Sequence, residues 1–196
     1  MNKTDARRHG EAARARLGPD ERRHAADTLA RALPHHPLLT ARPPGNVLVP
    51  SHHRNEIDTT PLAVHLERLG WPIHRPRTLE TRTTLEAVAW PTERPLVAGY
   101  AGIPEPPADA AAADPTTLAL VLVPGAAFAA DGARVGTGWG YFDRFLAPLV
   151  QARPRPLVVG IGYRVQLVPG IMAEPHDIPM DGLQLEDLAV ECRSGR

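Results

Sequence analysis

Closely spaced glycines and two charged side chains stand together between residues 132 and 143. Glycine occupies positions 132, 136, 138 and 140, Arg134 lies among the glycines, and Asp143 follows them. Such glycines let a backbone approach a ligand and turn its N–H groups toward an anion. A guanidinium can clamp phosphate oxygens, and a carboxylate can hold a magnesium ion that bridges them. These residue types favour a phosphate-binding turn.

The spacing of the glycines leaves a second interpretation open. It matches neither GxGxxG nor GxxxxGK[ST], so neither standard nucleotide-binding fingerprint applies. A glycine-rich turn that binds nothing would have the same composition. The residues of this turn alone do not decide between a phosphate cradle and an ordinary turn.

The flanking elements are those of a strand, a turn and a helix. Six apolar residues from Leu118 to Val123 predict a strand buried on both faces, as in parallel sheets, and Pro124-Gly125 ends it. Apolar residues at helical spacing predict a helix from Tyr141 to Val150, with Pro148 expected to distort or shorten it. The N-terminus of this helix would add partial positive charge to the turn.

Strands and helices alternate along the rest of the chain. Helices are expected at about 3–16, 19–33 and 60–69, and strands at 46–51, 71–75, 84–90 and 156–161, followed by a last apolar stretch at 188–190. Proline-rich segments at 34–45 and 91–117 are expected to be irregular. The pattern predicts a three-layer, doubly wound α/β fold with a mostly parallel sheet, helices on both faces, and a single domain over residues 1–196.

Two further groups of charges could face the same site. Lys3, Arg7 and Arg14 share one face of the first helix, either as a solvated basic face or as a cationic surface toward a polyphosphate. Glu56 follows the strand at 46–51, and ligands of open α/β sheets bind at such strand ends. Its carboxylate could accept hydrogen bonds from a ligand or cap the following helix.

The composition excludes several classes of protein. The formal net charge is 0, so no global field favours nucleic acid or a membrane surface, and no apolar run approaches the ~20 residues of a membrane span. Cys192 is the only cysteine, which excludes an internal disulfide and fits a reduced, cytoplasmic setting. The histidines form no HExxH or His/Cys cluster, and no serine lies in GxSxG.

The central stretch resembles the 5-formyltetrahydrofolate cyclo-ligase family, also called methenyltetrahydrofolate synthetases. The hallmark of that family is matched by Val123-Pro124-Gly125, Phe128, Gly132, Arg134, Gly136, Gly138, Gly140 and Tyr141-Phe142-Asp143-Arg144-Phe145-Leu146. Weaker matches follow in the same order at Lys3, Arg7, Arg14, Leu17, Glu21, Arg22, Glu56-Ile57-Asp58-Thr59, Pro76-Arg77, Gly102-Ile103-Pro104-Glu105-Pro106, Gln166 and Asp177. With this resemblance, the cationic interpretation of Lys3 and Arg7 is favoured over a solvated face.

The resemblance implies conversion of 5-formyltetrahydrofolate to 5,10-methenyltetrahydrofolate, driven by ATP and Mg²⁺, with release of ADP and phosphate. It implies an ATP site formed by Lys3, Arg7, Arg134, Val135, Gly136, Thr137, Gly138, Trp139, Gly140, Tyr141 and Phe142. Arg134 and Tyr141 would act in catalysis, Glu56 and Trp139 would contact the folate, and Asp143 with Asp177 would hold Mg²⁺. The expected partners are folate and ATP, without nucleic acid or membrane, and a monomer is expected.

Three residues depart from the family pattern. Phe142 replaces the second tyrosine of a Tyr-Tyr pair, and Thr137 and Trp139 are unusual between the glycines. They keep two alternatives open. The chain could bind a nucleotide or folate without turnover, or it could be an enzyme of the same architecture with another small substrate.

Overall fold

The computed structural model describes residues 1–79, 81 and 83–192, so the end of the predicted domain at 193–196 lies outside the described residues. The α-helices are α1 (Lys3–Ala15), α2 (Pro19–Ala32), α3 (Thr60–Arg68) and α4 (Tyr141–Leu149). The strands are β1 (Asn46–Leu48), β2 (Ile73–Thr78), β3 (Leu85–Ala89), β4 (Val97–Ala98), β5 (Pro104–Glu105), β6 (Leu118–Pro124), β7 (Ala127–Ala129), β8 (Arg134–Val135), β9 (Leu157–Gly162), β10 (Leu167–Val168), β11 (Gly182–Leu185) and β12 (Leu188–Glu191).

Seven strands form the central sheet in the order β12-β11-β9-β6-β1-β2-β3. The five inner strands run parallel, and only the edge strands β12 and β3 are antiparallel to their neighbours. The chain passes from β1 to β2 on one side and later returns to β6 on the other side of β1. The boundary between β1 and β6 is therefore the switch point of the topology, where ligands of such sheets bind.

Helices cover both faces of this sheet, which confirms the predicted three layers. Strand β6 shows why both faces must be covered. Its side chains point alternately to the two faces of the sheet, and those of residues 120–123 are all buried. Leu120 and Leu122 pack on one face in the same core cluster as residues of α2 and α3. Val121 and Val123 pack on the other face in the same core cluster as residues of α4, among them Phe145 and Leu146.

Helix α1 lies on a separate, smaller sheet of order β10-β7-β8. Ala6 is fully buried in a cluster with Ala126 and Ala127. A Cβ atom at Gly10 would lie 1.9 Å from the carbonyl oxygen of Ala126, so only glycine permits this close contact. Glycine at position 10 therefore lets α1 rest directly on backbone.

The structure refines two local expectations at the central turn. The segment after Pro124 is not entirely loop, because β7 and β8 pair as a hairpin whose turn contains Gly132 at φ +92°. Helix α4 ends at Leu149, one residue before the predicted end at Val150, and Pro148 lies in its last turn. The glycine-rich turn proper is thus confined to residues 136–140.

Other boundaries shift by a few residues. Strand β1 ends at Leu48, before the predicted 51, while β2 runs on to Thr78 instead of ending at 75. Residues 91–117 contain the short β4–β5 pair, and the pattern in the sequence also missed β11. Arg77 anchors the irregular segment, because its guanidinium donates to the carbonyl oxygens of Pro107 and Ala110.

Candidate active site

A cleft of about 670 Å³ opens at the carboxyl ends of β1 and β6, next to the switch point of the sheet. The first turns of α1 and α4, the loop after β1 and the glycine-rich turn border it, together with residues near 100–105 and 174–177. Arg14, which the sequence grouped with Lys3 and Arg7, does not border the cleft. Every residue that the family resemblance assigned to the site lies on its wall: Lys3, Arg7, Glu56, Arg134, Val135, Gly136, Thr137, Gly138, Trp139, Gly140, Tyr141, Phe142, Asp143 and Asp177.

The glycine-rich turn leads directly into the N-terminus of α4. Gly138 and Gly140 adopt φ values of +104° and +66°, which residues with a Cβ rarely adopt, and Gly140 caps the helix. The side chain of Arg7 reaches this turn from α1, and its Nε donates a hydrogen bond of 2.7 Å to the carbonyl oxygen of Gly136. A cation, a flexible backbone and a helix N-terminus therefore meet at one wall of the cleft.

Arg134 and Asp143 form an ion pair at the base of the turn. Nη2 of Arg134 donates to Oδ2 of Asp143 at 2.8 Å, and Nη1 donates to the carbonyl oxygen of Pro124 at 3.4 Å. The guanidinium is almost fully buried, and its Nε has no hydrogen-bond partner among the described residues. This arrangement holds a positive charge at the cleft wall, with the Nε–H buried and unpaired among the described residues.

Lys3 contacts two acidic residues of the segment between β10 and β11. Its Nζ donates to Oε2 of Glu174 and to Oδ1 of Asp177, each at 2.7 Å, and these bonds raise the pKa of Lys3 although burial opposes the rise. Burial also opposes ionisation of Asp177, yet the N–H of Glu174 and the ammonium of Lys3 outweigh it and lower the pKa of that carboxyl. Both groups are therefore charged at neutral pH.

Glu174, His176 and Asp177 offer ligand atoms that lie within 4.8 Å of one another. Carboxylate oxygens suit Mg²⁺, whereas the imidazole of His176 suits softer metals better. Asp143 is not part of this cluster, since its carboxylate is engaged by Arg134 and accepts from the N–H of Ile178 at 3.4 Å. Asp143 and Asp177 thus border the same cleft, but Asp143 pairs with Arg134 and Asp177 pairs with Lys3.

Glu56 is held in the loop between β1 and α3. Its Oε2 accepts a hydrogen bond of 3.0 Å from the N–H of His53, and its Oε1 lies 3.8 Å from Nη1 of Arg14. Tyr163 steadies the backbone by donating its hydroxyl to the carbonyl oxygen of Glu56. Burial raises the pKa of the Glu56 carboxyl, and the positive charge of Arg14 opposes that rise.

Three aromatic rings line another part of the cleft. Trp139 and Tyr141 are nearly parallel, with centroids 6.3 Å apart, and Tyr100 meets both rings edge-on. Trp139 is 59% exposed, so a large apolar surface faces the opening. Flat apolar rings of this kind suit stacking against a planar ligand.

Several site residues were not predicted as such. Tyr100 and Arg144 border the cleft, and Arg144 donates to the carbonyl oxygen of Trp139 at 2.6 Å. Glu174 and His176 join Asp177 near Lys3. The motif matches gave the signals for these residues. Arg144 belongs to the hallmark at 141–146, Tyr100 lies just before the match at 102–106, and Glu174 and His176 lie in the segment that ends at Asp177.

The sequence model of the 5-formyltetrahydrofolate cyclo-ligase family matches residues 1–186. The chain belongs to this family. The fold agrees, since an NMR structure of 5,10-methenyltetrahydrofolate synthetase from Aquifex aeolicus superposes with a TM-score of 0.79 and 27% identity, over 99% of this chain and 94% of that one. The resemblance deduced from the motifs is thereby confirmed.

Two curated relatives are similar over shorter stretches. A 5-formyltetrahydrofolate cyclo-ligase from Mycolicibacterium smegmatis is 37% identical over 94 residues, which is 46% of this chain and 47% of that protein. One from Mus musculus is 35% identical over 71 residues, 36% of this chain and 35% of the relative. The matched stretches thus span less than half of these cyclo-ligases.

None of the described helices combines the length and apolar character that crossing a membrane requires.

Proposed function

We propose that this member of the cyclo-ligase family converts 5-formyltetrahydrofolate to 5,10-methenyltetrahydrofolate, with ATP consumed and ADP and phosphate released. The observation that carries the proposal is that two groups of residues with different chemistry border one cleft. One wall holds the glycine-rich turn with Lys3, Arg7 and Arg134, and the other holds Glu56. The first suits a polyphosphate, and the second suits the N–H groups of a folate.

The reaction requires activation of a poor electrophile. The formyl oxygen of the folate attacks the γ-phosphorus of ATP, and the bond from that phosphorus to the β–γ bridging oxygen breaks, which releases ADP. N10 then attacks the activated carbon, its proton is lost, and phosphate departs as the ring closes. Catalysis of such steps depends chiefly on positioning and on neutralising the phosphate charge.

The residues at the turn supply that charge and positioning. Lys3 and Arg7 neutralise the phosphates from α1, while Arg134 and the amides from Gly136 to Gly140 hold the transferring phosphoryl group. The buried Nε–H of Arg134, which is unpaired among the described residues, supports this assignment, since a buried donor without a partner costs free energy that an anion would offset. Tyr141 serves as a polar contact at the end of the turn.

The folate is assigned to the other side of the cleft. Glu56 accepts hydrogen bonds from its N–H groups, and Trp139 stacks on one of its flat rings. The exposed ring face of Trp139 and the nearly buried carboxylate of Glu56 support this orientation. Tyr100, which belongs to the irregular segment, contacts the ring of Trp139 edge-on.

A magnesium ion fits the donors available at this wall. Asp143 and Asp177 offer carboxylate oxygens, the ligands that Mg²⁺ prefers. The ion would neutralise charge on the phosphate oxygens of ATP. Arg134 and Lys3, which engage these carboxylates in the structure, are the groups that would turn to the phosphates instead.

Purified protein mixed with ATP, Mg²⁺ and 5-formyltetrahydrofolate provides the test. Appearance of the absorbance of the methenyl product would support the proposal. Saturable ATP binding without product would indicate a binding protein, the alternative that Thr137, Trp139 and Phe142 favour. Binding of neither compound would indicate a different substrate.

Three further proposals accompany this function. The chain acts as a single domain and as a monomer, because one chain supplies every group named above. It acts in the cytoplasm, because a chain with a single cysteine forms no internal disulfide that would require an oxidising compartment. Sedimentation analysis of the purified protein checks the monomer, and a dimer with residues of both copies in one cleft would contradict it.

A further inference from the structure

Arg14 is a buried cation that does not reach the cleft. It lies in the last turn of α1, roughly 16 Å along the helix from Lys3, and is only 8% exposed. Among the described residues, those that border the cleft do not include it. A buried guanidinium is costly unless another group compensates its charge, so its partners indicate its role.

Two groups at the switch point of the sheet face Arg14. Its Nη1 lies 3.8 Å from Oε1 of Glu56 and 3.5 Å from the carbonyl oxygen of Gly125. Glu56 belongs to the loop after β1, and Gly125 directly follows β6. Arg14 therefore joins α1 to the carboxyl ends of both strands that flank the switch point.

A small pocket lies beside Arg14 and Glu56. It has a volume of about 10 Å³ and is bordered by Arg14, Ser51, Glu56, Gly125 and Gln166, among others. That is roughly the space of one water molecule, far too small for a folate. Only one ionisable residue, Glu56, is among the five that border both this pocket and the cleft: Pro50, Ser51, Glu56, Pro124 and Gly125. An electrostatic effect of Arg14 on a substrate would therefore act chiefly through Glu56.

We propose that Arg14 is the positioning residue that keeps the carboxylate of Glu56 ionised and oriented toward the cleft. This inference rests on the proposed function, because it assumes that Glu56 accepts N–H groups of the folate. An ionised carboxylate accepts at both oxygens, whereas a protonated one presents a competing donor. The charge of Arg14 thereby affects the affinity for folate without contact between them.

The surroundings of Glu56 support this role. Burial raises the pKa of its carboxyl, and the positive charge of Arg14 is the strongest opposing influence, ahead of the N–H of His53 and the imidazole of His52. His52 is itself paired with Asp58 at 3.1 Å. From the neighbouring elements, Arg75 of β2 donates to the carbonyl oxygen of Pro50, and the hydroxyl of Tyr163 reaches the Glu56 backbone.

The first experiment compares Arg14→Gln and Arg14→Lys with wild type in turnover assays over about pH 5–9. In Arg14→Gln, the KM for folate should begin to rise at a higher pH than in wild type as the pH falls, and it should increase about tenfold for each pH unit below the carboxyl pKa of Glu56. It should recover toward the wild-type value at alkaline pH, with the KM for ATP unchanged. Arg14→Lys should restore much of the affinity.

The control is Arg16→Gln, which removes an exposed cation from the end of the same helix and should leave both KM values unchanged. A loss in Arg14→Gln that is independent of pH, or that affects ATP equally, would overturn the positioning role. So would a failure of lysine to rescue a folded protein.

A double substitution tests whether Arg14 acts through Glu56. In a Glu56→Gln background, Arg14→Gln should cause no further rise in the KM for folate, because the charge that it stabilises is gone. Equal fold-changes in both backgrounds would contradict the proposal. This comparison does not depend on the size of either single effect.

Carbon-13 NMR of the ligand-free protein separates this inference from the proposed function. The titration midpoint of the Glu56 carboxyl should lie higher in Arg14→Gln than in wild type. An unchanged midpoint would overturn the inference even if the enzyme turns over folate. A raised midpoint in a protein that makes no product would support the effect of Arg14 on Glu56 and overturn the proposed reaction.

Discussion

Arg7 and Gly136 are 129 residues apart in the chain, yet the Nε of Arg7 donates a hydrogen bond of 2.7 Å to the carbonyl oxygen of Gly136. The bond fixes the N-terminal helix against the glycine-rich turn. Lys3, one turn earlier on the same helix, contacts Glu174 and Asp177. Both cations therefore stand where the proposed phosphates would lie.

Substitution of Arg7 should weaken ATP binding specifically. Arg7→Gln removes a positive charge from the turn, and charge-assisted hydrogen bonds contribute about 1.5–3 kcal/mol, so the KM for ATP should rise tenfold or more. Arg7→Lys should retain part of the affinity, since it keeps the charge and loses the forked geometry. Steady-state kinetics with varied ATP measure both. Arg8→Gln, on the exposed side of α1, is the control, and an equal effect there would remove Arg7 from the ATP site.

Substitution of Gly10 should loosen α1 as a unit. In Gly10→Ala the added methyl group would collide with the carbonyl oxygen of Ala126, which cannot move without disturbing β7. Overpacking of this kind costs about 1–3 kcal/mol, although alanine otherwise favours a helix. Urea denaturation measures the stability. Gly170→Ala is the matched control, because no atom lies within 4 Å of its Cβ position, and a similar loss in both variants would refute the close contact.

Arg134 and Asp143 should both prove essential for turnover. Arg134→Ala should lower kcat/KM by more than tenfold, about 1.4 kcal/mol of transition-state stabilisation. Asp143→Asn, which preserves an acceptor for Arg134, should abolish the dependence of the rate on Mg²⁺. Asp187→Asn, at an exposed pair with Arg164, serves as the control. Near-normal magnesium-dependent activity of a folded Asp143 variant would show that the metal assignment is wrong.

Acid should destabilise the protein through His36. This side chain is fully buried between the N–H of Leu38 and the carbonyl oxygen of Leu183, and burial lowers its pKa from the usual 6.5. The unfolded chain therefore binds a proton first as the pH falls, so stability should decline below about pH 6.5. Denaturation at several pH values measures the slope. A variant His36→Gln should flatten it, whereas the exposed His35→Gln should not.

The fold and the site wall were largely predictable from the sequence for physical reasons. A run such as Leu118 to Val123 is buried on both faces only in a covered parallel sheet, and alternation with helices then fixes the layers. The glycines, Arg134 and Asp143 adjoin one another in the chain, so their proximity follows from local structure. Glu56 was indicated by its place after a predicted strand, and the motif match supplied Asp177.

The remaining features depend on contacts between distant segments. Strands of two or three residues, such as β7 and β8, are too short to show a period of two, and they form because α1 packs on them. The proximity of Arg14 to Glu56 requires α1 to cross the ends of two strands. Likewise, Tyr100 reaches Trp139 only through the path of an irregular segment. No local sequence pattern predicts these contacts between distant segments.

Ligand binding should be visible in the fluorescence of one tryptophan. Trp71 and Trp90 are buried, whereas Trp139 is 59% exposed at the cleft. Iodide should therefore quench Trp139 selectively in the free protein, and stacking of a folate ring should shield it and shift its emission to shorter wavelength. The substitution Trp139→Phe should eliminate both the quenching and the ligand-induced shift while preserving a ring. Trp90→Phe is the control, and a shift that persists in Trp139→Phe would place the bound folate away from this ring.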